Sequence, residues 1–291
     1  MKTRAEFCVA VLRKVLAIVF LSLLFSSLCF SQQLIPLDHW RYIPKTVDEA
    51  MEQLVWANRI LANEGVLDAL GHVSVRNPQN PKSFFQTRGL SPYLITKKDI
   101  LEIDLASNVL TKSAERPYSE RVVHAALLKA RPDMNAVFHG HIPAVIPFSV
   151  TGVPLRPITH VGSFLWQGVP VYDEFEPGDG MLILKNSEGE RMARNLGNRR
   201  VQLLRGHGCN IVAESPMHLV ACAIYLRDNA TIQWQALLIG KEPKSLTEEE
   251  AKPAMDRGLF QPLSRMWGYW VERVRRNMPD MADFPDHYSI K

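Results

Sequence analysis

Three histidines and one glutamate carry the chemistry available to this sequence. Phe138-His139-Gly140-His141 closes the run Asn135–His141 and reads as the end of a β-strand. Period-two alternation turns both imidazoles to one face, where they can chelate a single divalent ion. A third ligand has to come from elsewhere. Arg205-Gly206-His207-Gly208 supplies the best candidate, because it follows the strand-like run Val201–Arg205 and its glycines suit a turn that points one side chain inward. Three imidazoles with an open position are the arrangement of a catalytic metal site rather than a structural one. There is no CxxC motif, so any metal falls to histidine and carboxylate. Zn²⁺ suits three imidazoles, with Mn²⁺, Co²⁺ or Fe²⁺ as replacements.

The fourth group is Glu120 in Pro117-Tyr118-Ser119-Glu120, nineteen residues before His139. A glutamate in a first helical turn ordinarily sits at the surface, favoured by the helix dipole. Here the helix leads into the histidine strand, so packing it back on the sheet brings Glu120 to the metal. It can then be a ligand at rest and an acid/base when substrate displaces it. His39, His124, His218 and His287 stand alone and read as solvated or hydrogen-bonded side chains.

These groups need a scaffold, and the spacing provides one. Thr46-Val-Asp-Glu49 forms a capping box for a helix that stops at Gly65. Strand-like runs follow at Leu70–Val75, Phe84–Thr87 and Ile100–Leu105. Ser119 caps a second helix through Lys129, and a short helix covers Ala144–Val150. Val169–Tyr172 and Met181–Leu184 read as strands, Ser187–Leu196 as a helix. Ser215-Pro216 opens a long helix in the expected cap-then-proline order. Lys241–Lys252 is a charged connection, and Leu263, Trp267, Trp270, Val271 and Val274 keep helical spacing in the tail. The expectation is a single α/β domain, a mixed central sheet flanked by helices.

The 291 residues are 46% hydrophobic and 22% charged, an ordinary globular balance. The net charge is +4, but the first 31 residues carry +3 of it, leaving a body of +1. That gives no electrostatic basis for nucleic-acid binding. Basic residues through Lys14, an apolar run Val15–Phe25 and the small-residue positions Cys29 and Ser31 read as a signal peptide cleaved near Gln32. The run is short of the ~20 residues of a spanning helix. The expected division is 1–31 signal peptide, 32–45 leader, 46–240 catalytic domain and 241–291 C-terminal helical extension. The mature protein is then exported, periplasmic or secreted, with no membrane attachment. Cys8 and Cys29 fall in the signal segment, and Cys209 and Cys222 read as two partly buried thiols.

Ser119-Glu120 before a helix, His139-x-His141 on the next strand, and Arg205-Gly-His-Gly208 ahead of a Ser-capped helix resemble the class II aldolase/adducin family over roughly Val47 to Leu238. The resemblance implies an α/β/α fold around a mixed sheet, a metal on His139, His141 and His207, and Glu120 as acid/base. It also implies a ring-like homo-oligomer, commonly a tetramer, with sites at subunit contacts. The sugar-phosphate aldolases of that family hold phosphate with a Gly-Asn turn, a Thr-x-x-Gly segment and a Ser-Ser pair. The matching places here read Gly71-His72, Leu90-Ser-Pro-Tyr93 and Tyr118-Ser119. Rings replace small donors, which obstructs a phosphate.

Ala69–Pro78 and Gly152–His160 resemble instead a decarboxylase branch acting on carboxylated hydroxymuconic semialdehydes or dihydroxyphthalates. The implied substrate-binding residues are His72, Ser74, Arg88, Ser91, Tyr118 and His160, with Arg76 and Arg156 as further partners for a carboxylate. The expected chemistry is carbon–carbon cleavage through an enolate-like intermediate, most simply loss of CO2 from a small carboxylate. An aldolase or epimerase acting on a non-phosphorylated sugar or hydroxy acid uses the same charge stabilisation. An adducin-like interaction module without chemistry is disfavoured by the presence of all three histidines and the glutamate. A cupin-type Fe²⁺ site needs an acid a few residues after His-x-His, and the first after His141 is Asp173.

Overall fold

Seven strands build one sheet: β1 His72–Arg76, β2 Ser83–Thr87, β3 Ile100–Asp104, β4 Ala136–Gly140, β5 Val171–Tyr172, β6 Val201–Leu204 and β7 Gly208–Ala213. Their order is β3-β2-β1-β4-β7-β6-β5, antiparallel throughout except for the parallel β5–β6 pair. The helices are α1 Val47–Asn63, α2 Arg121–Ala130, α3 Ile146–Val150, α4 Asn186–Leu196, α5 Pro216–Leu238, α6 Glu248–Asp256 and α7 Leu263–Asn277. The computed structural model describes residues 42–240, 242–256, 260 and 263–289. The signal segment expected at 1–31 and most of the expected leader lie outside them. Among the described residues no helix is long and apolar enough to cross a membrane.

Alternation along the strands divides the interior in two. Val73, Val75, Phe85, Phe138, Leu203 and Ile211 point to one face and pack with Leu54, Ile60, Leu219, Leu226 and Trp267 of α1, α5 and α7. Phe84, Val137, Leu204 and Val212 point to the other face and meet Val123, Leu127 and Met192 of α2 and α4. Each layer buries apolar area worth roughly 25 cal/mol per Å², so both faces of the sheet resist exposure. On that second face the row His72, Ser74, Gln86, His139, Gln202 and Asn210 is polar, and all six are buried. Six polar side chains under two helices must find partners or a ligand.

Most expected elements are present, including the Thr46/Glu49 capping box and the Ser215-Pro216 helix start. Three expectations change and one strand is added. Ser119 does not cap α2; Glu120 occupies the N-cap position and its side chain makes no capping hydrogen bond. Met181–Leu184 is a loop, not a strand, with Met181 at φ 67°. The strand β7 was concealed by the glycine turn before it, and completes a β6–β7 hairpin. The charged connection Lys241–Lys252 overlaps α6, whose first turn gathers Glu248, Glu249 and Glu250, the charge that a helix N-terminus favours.

Candidate metal centre

The sheet brings the two histidine motifs together. β4 pairs with β7 so that Gly140 lies opposite Cys209, with Gly208 beside it at the strand ends. A β-carbon on Gly208 would lie 2.3 Å from the Gly140 carbonyl oxygen, so only glycine lets these backbones approach this closely. Gly206 turns the chain at φ 64° just before His207. The ring centroids of His139 and His141 are 5.6 Å apart, and His207 lies 5.1 Å from each. One ligand atom from each of the three fits within 4.8 Å of the others.

Each ring is held at Nδ1 by an acceptor. His139 Nδ1 donates to Asn210 Oδ1 at 2.8 Å, His141 Nδ1 to Asp68 Oδ2 at 3.0 Å, and His207 Nδ1 to the Met181 carbonyl at 2.9 Å. A neutral imidazole that donates through Nδ1 keeps its lone pair on Nε2, and outer partners of this kind orient metal ligands. The polarity at His139 is fixed by a chain of amides. The Met192 carbonyl accepts from Gln202 Nε2, Gln202 Oε1 accepts from Asn210 Nδ2, and Asn210 Oδ1 remains for His139.

Glu120 completes the cluster from the end of α2. Its Oε1 accepts the Ile183 amide at 3.0 Å, and its Oε2 lies 3.4 Å from His139 Nε2 and 3.8 Å from His207 Nε2. Burial alone would raise the Glu120 carboxyl, but His139, the Ile183 amide and His207 outweigh it and bring it down to about 2. Burial, then the His139 charge, lower His207 to about 4, leaving it neutral. His139 is raised: its burial acts against this, and the Glu120 carboxylate overcomes it. The buried His139 Nε2 has no hydrogen-bond partner. His139 Nε2 and the Glu120 carboxylate facing it call for a positive charge between them, a proton or a metal ion, and three imidazoles with a carboxylate are a donor set for a divalent transition metal. The residues present fit such an ion.

The expected substrate residues separate. His72 and Tyr118 are at the cluster: the His72 ring stacks 5.1 Å from His139 and lies tilted against Tyr118 with centroids 4.2 Å apart. The Tyr118 hydroxyl is committed to the Leu90 carbonyl, so the residue offers a ring face. Ser74 is corrected to a buried outer position, its hydroxyl 2.6 Å from His124 Nδ1. Ser91 lies in the neighbouring loop, where its carbonyl accepts the Leu94 amide. Arg88 is paired with Asp99 at 2.6 Å and Glu115 at 3.4 Å. Arg76 is also corrected. Its guanidinium is buried and donates to the carbonyls of Pro81, Leu128, Arg131 and Met134, a strap between β1 and the end of α2. His160 is exposed on the 3₁₀ turn His160–Leu165, in the segment pinned by Asn229 and Gln233. Arg156, Arg199 and Trp166 line a cavity of about 410 Å³ that contains none of the three histidines. Sequence reading missed His124, Asn210, Gln202 and Asp68, because a polar residue does not announce its partner, whether in a strand, a helix or, like Asp68, a loop.

The model of the class II aldolase and adducin N-terminal domain matches residues 52–234, well over half of the chain. The chain belongs to this family. Among class II aldolase/adducin proteins it is 32% identical to Decarboxylase tropJ of Talaromyces stipitatus over 240 residues, 74% of this chain and 90% of that one. It is 32% identical to the 3,4-dihydroxyphthalate decarboxylase of Arthrobacter keyseri over 247 residues, 79% and 96% of the two chains. In fold it is similar to L-fuculose 1-phosphate aldolase from Glaciozyma antarctica PI12, with a TM-score of 0.69 at 24% identity over 87% of this chain and 99% of that one. An aldolase II superfamily protein from Pseudomonas syringae gives a TM-score of 0.69 at 25% identity, covering 84% and 98%. The α/β architecture with a mixed sheet flanked by helices is therefore the family's own.

Proposed function

We propose that this chain is a divalent-metal-dependent carbon–carbon lyase, and within that class a decarboxylase of an o-hydroxy aromatic or ring-opened carboxylic acid. The observation that carries this is the buried Glu120 carboxylate set against two of three convergent imidazoles, supported by near full-length similarity to decarboxylases. His139, His141 and His207 would hold the ion. It would supply Lewis-acid stabilisation of the negative charge that develops on a substrate oxygen.

The chain's own residues manage the proton. Glu120 is ionised at rest and takes the proton of the substrate hydroxyl. It returns that proton to the carbon bearing the carboxylate. The carbon–carbon bond then breaks, CO2 leaves, and its electron pair restores the ring or enolate. A proton from water regenerates the hydroxyl. Tyr118, half-buried beside His72, offers an aromatic ring to a planar substrate where a phosphosugar has no donors to meet.

Two measurements test the reading together. Purified protein should contain a stoichiometric divalent metal, and 3,4-dihydroxyphthalate with other o-hydroxy aromatic acids should release CO2. Turnover of L-fuculose 1-phosphate without decarboxylation would reverse the assignment. We also propose export on the sequence of residues 1–31, with a mature N-terminus near Gln32. Terminal sequencing of native material that begins at Met1 would reject it.

A further inference from the structure

Beside the metal ligands a second buried chain of side chains runs through the second face of the sheet. Ser74 Oγ lies 2.6 Å from His124 Nδ1, and His124 Nε2 lies 2.7 Å from His72 Nδ1. Gln86 Nε2 approaches the same His72 nitrogen at 3.3 Å. All four side chains are almost fully buried. A ring nitrogen of His72 also lies within 4.8 Å of a Glu120 oxygen and a His139 nitrogen, so proximity alone would admit His72 as a metal ligand.

Hydrogen accounting decides otherwise. Two protons are shared along the chain, and they can point either way. If they point from His72 toward Ser74, the serine must accept, and its own hydroxyl proton is left buried without an acceptor. If they point from Ser74 toward His72, the serine donates to His124 and His124 donates to His72, so every proton of the chain has an acceptor. Orphaned buried donors are rarer than under-used acceptors, so the second direction holds. His72 then accepts at Nδ1 and bears its proton on Nε2, the nitrogen that His124 and Gln86 leave free.

We propose that Ser74 and His124 are positioning residues that keep His72 neutral with its proton on Nε2, making it a hydrogen-bond donor to the substrate oxygen that gains charge, and not a ligand. The neighbouring His139 is held in the opposite tautomer by Asn210. The donor role rests on the lyase reading above; the tautomer does not.

Long-range ¹H–¹⁵N correlation on histidine-labelled protein, with His72 assigned through His72→Gln, reads the tautomer directly. The metal-free and Zn²⁺-loaded protein should both show the His72 proton on Nε2. A proton on Nδ1, or loss of the Nε2 proton when Zn²⁺ binds, overturns the proposal. Kinetics with 3,4-dihydroxyphthalate test the role. His124→Phe should lower kcat about 10-fold with zinc content unchanged, and His124→Gln, whose amide can donate to His72, should recover most of it. Equal loss in both variants with an unchanged His72 tautomer would reduce His124 to packing. Ser74→Ala, a smaller change, provides the same comparison should His124→Phe fail to fold. Absence of any CO2 release from wild type would sink the lyase reading and the donor role, while the spectra still decide the tautomer.

Discussion

His72 and His139 face each other across the β1–β4 ladder, register partners with rings stacked at 5.1 Å, yet each is gripped from a different side. Asn210 on β7 holds the Nδ1 of His139, and His124 on α2 holds that of His72. Two imidazoles in one row of the sheet thus acquire different chemistry from what stands behind them. The row itself follows from strand alternation; the difference comes from its neighbours.

Replacing His139, His141 or His207 by alanine should each lower bound metal to well under half of wild type, since two imidazoles hold an ion poorly. Elemental analysis of the three purified variants measures this. Full occupancy in all of them would remove the metal assignment.

Glu120→Gln keeps the volume of the side chain and removes its charge. The turnover number should fall by at least ~100-fold, typical of lost general acid–base catalysis, with metal largely retained. Wild-type turnover in this variant would rule out the role.

Arg76→Met should destabilise the fold by about 3 kcal/mol, because four backbone carbonyls lose a buried charged donor. Chemical denaturation provides the number. Unchanged stability with a raised KM for carboxylates would restore Arg76 to the substrate site.

Glu214 and Arg200 form a two-point ion pair at 2.6 and 2.7 Å. Burial raises the Glu214 carboxyl, but Arg200 overcomes this and takes it from an ordinary 4.5 to about 2. A depressed folded value means that the pair stabilises fully above pH 4.5 and that this stabilisation is lost as the pH falls through 2. Glu214→Gln should cost about 3 kcal/mol at neutral pH. Its deficit should shrink on acidification, and melting curves between pH 7 and 2.5 follow it. A deficit independent of pH would assign the loss to packing.

The sequence made the histidine triad and Glu120 legible because motif spacing and strand period are local quantities. His139 and His141 share a face by alternation alone, and the Ser215-Pro216 helix start needs no partner to be recognised. The substrate side was harder. Arg76 and Ser74 alternate with apolar neighbours as a binding residue would, and only the packing of α2 shows that they point under a helix. His124 looked solitary for the same reason, since its partners lie 50 and 52 residues away in sequence.

Two of the groups that grip the site belong to peptide bonds: the Met181 carbonyl on His207 and the Ile183 amide on Glu120. A peptide bond is the same whatever side chain it carries. The exposed Leu182 and Leu184 can therefore drift in sequence while the loop's service to the site stays constant, whereas Ile183 is also buried among the side chains of α2 and α4 and Met181 turns at φ 67°. Proline is the exception. At position 183 it abolishes the N–H that steadies the carboxylate, and at 181 its fixed negative φ is incompatible with the left-handed turn, so these two positions mark where the loop's freedom to change ends.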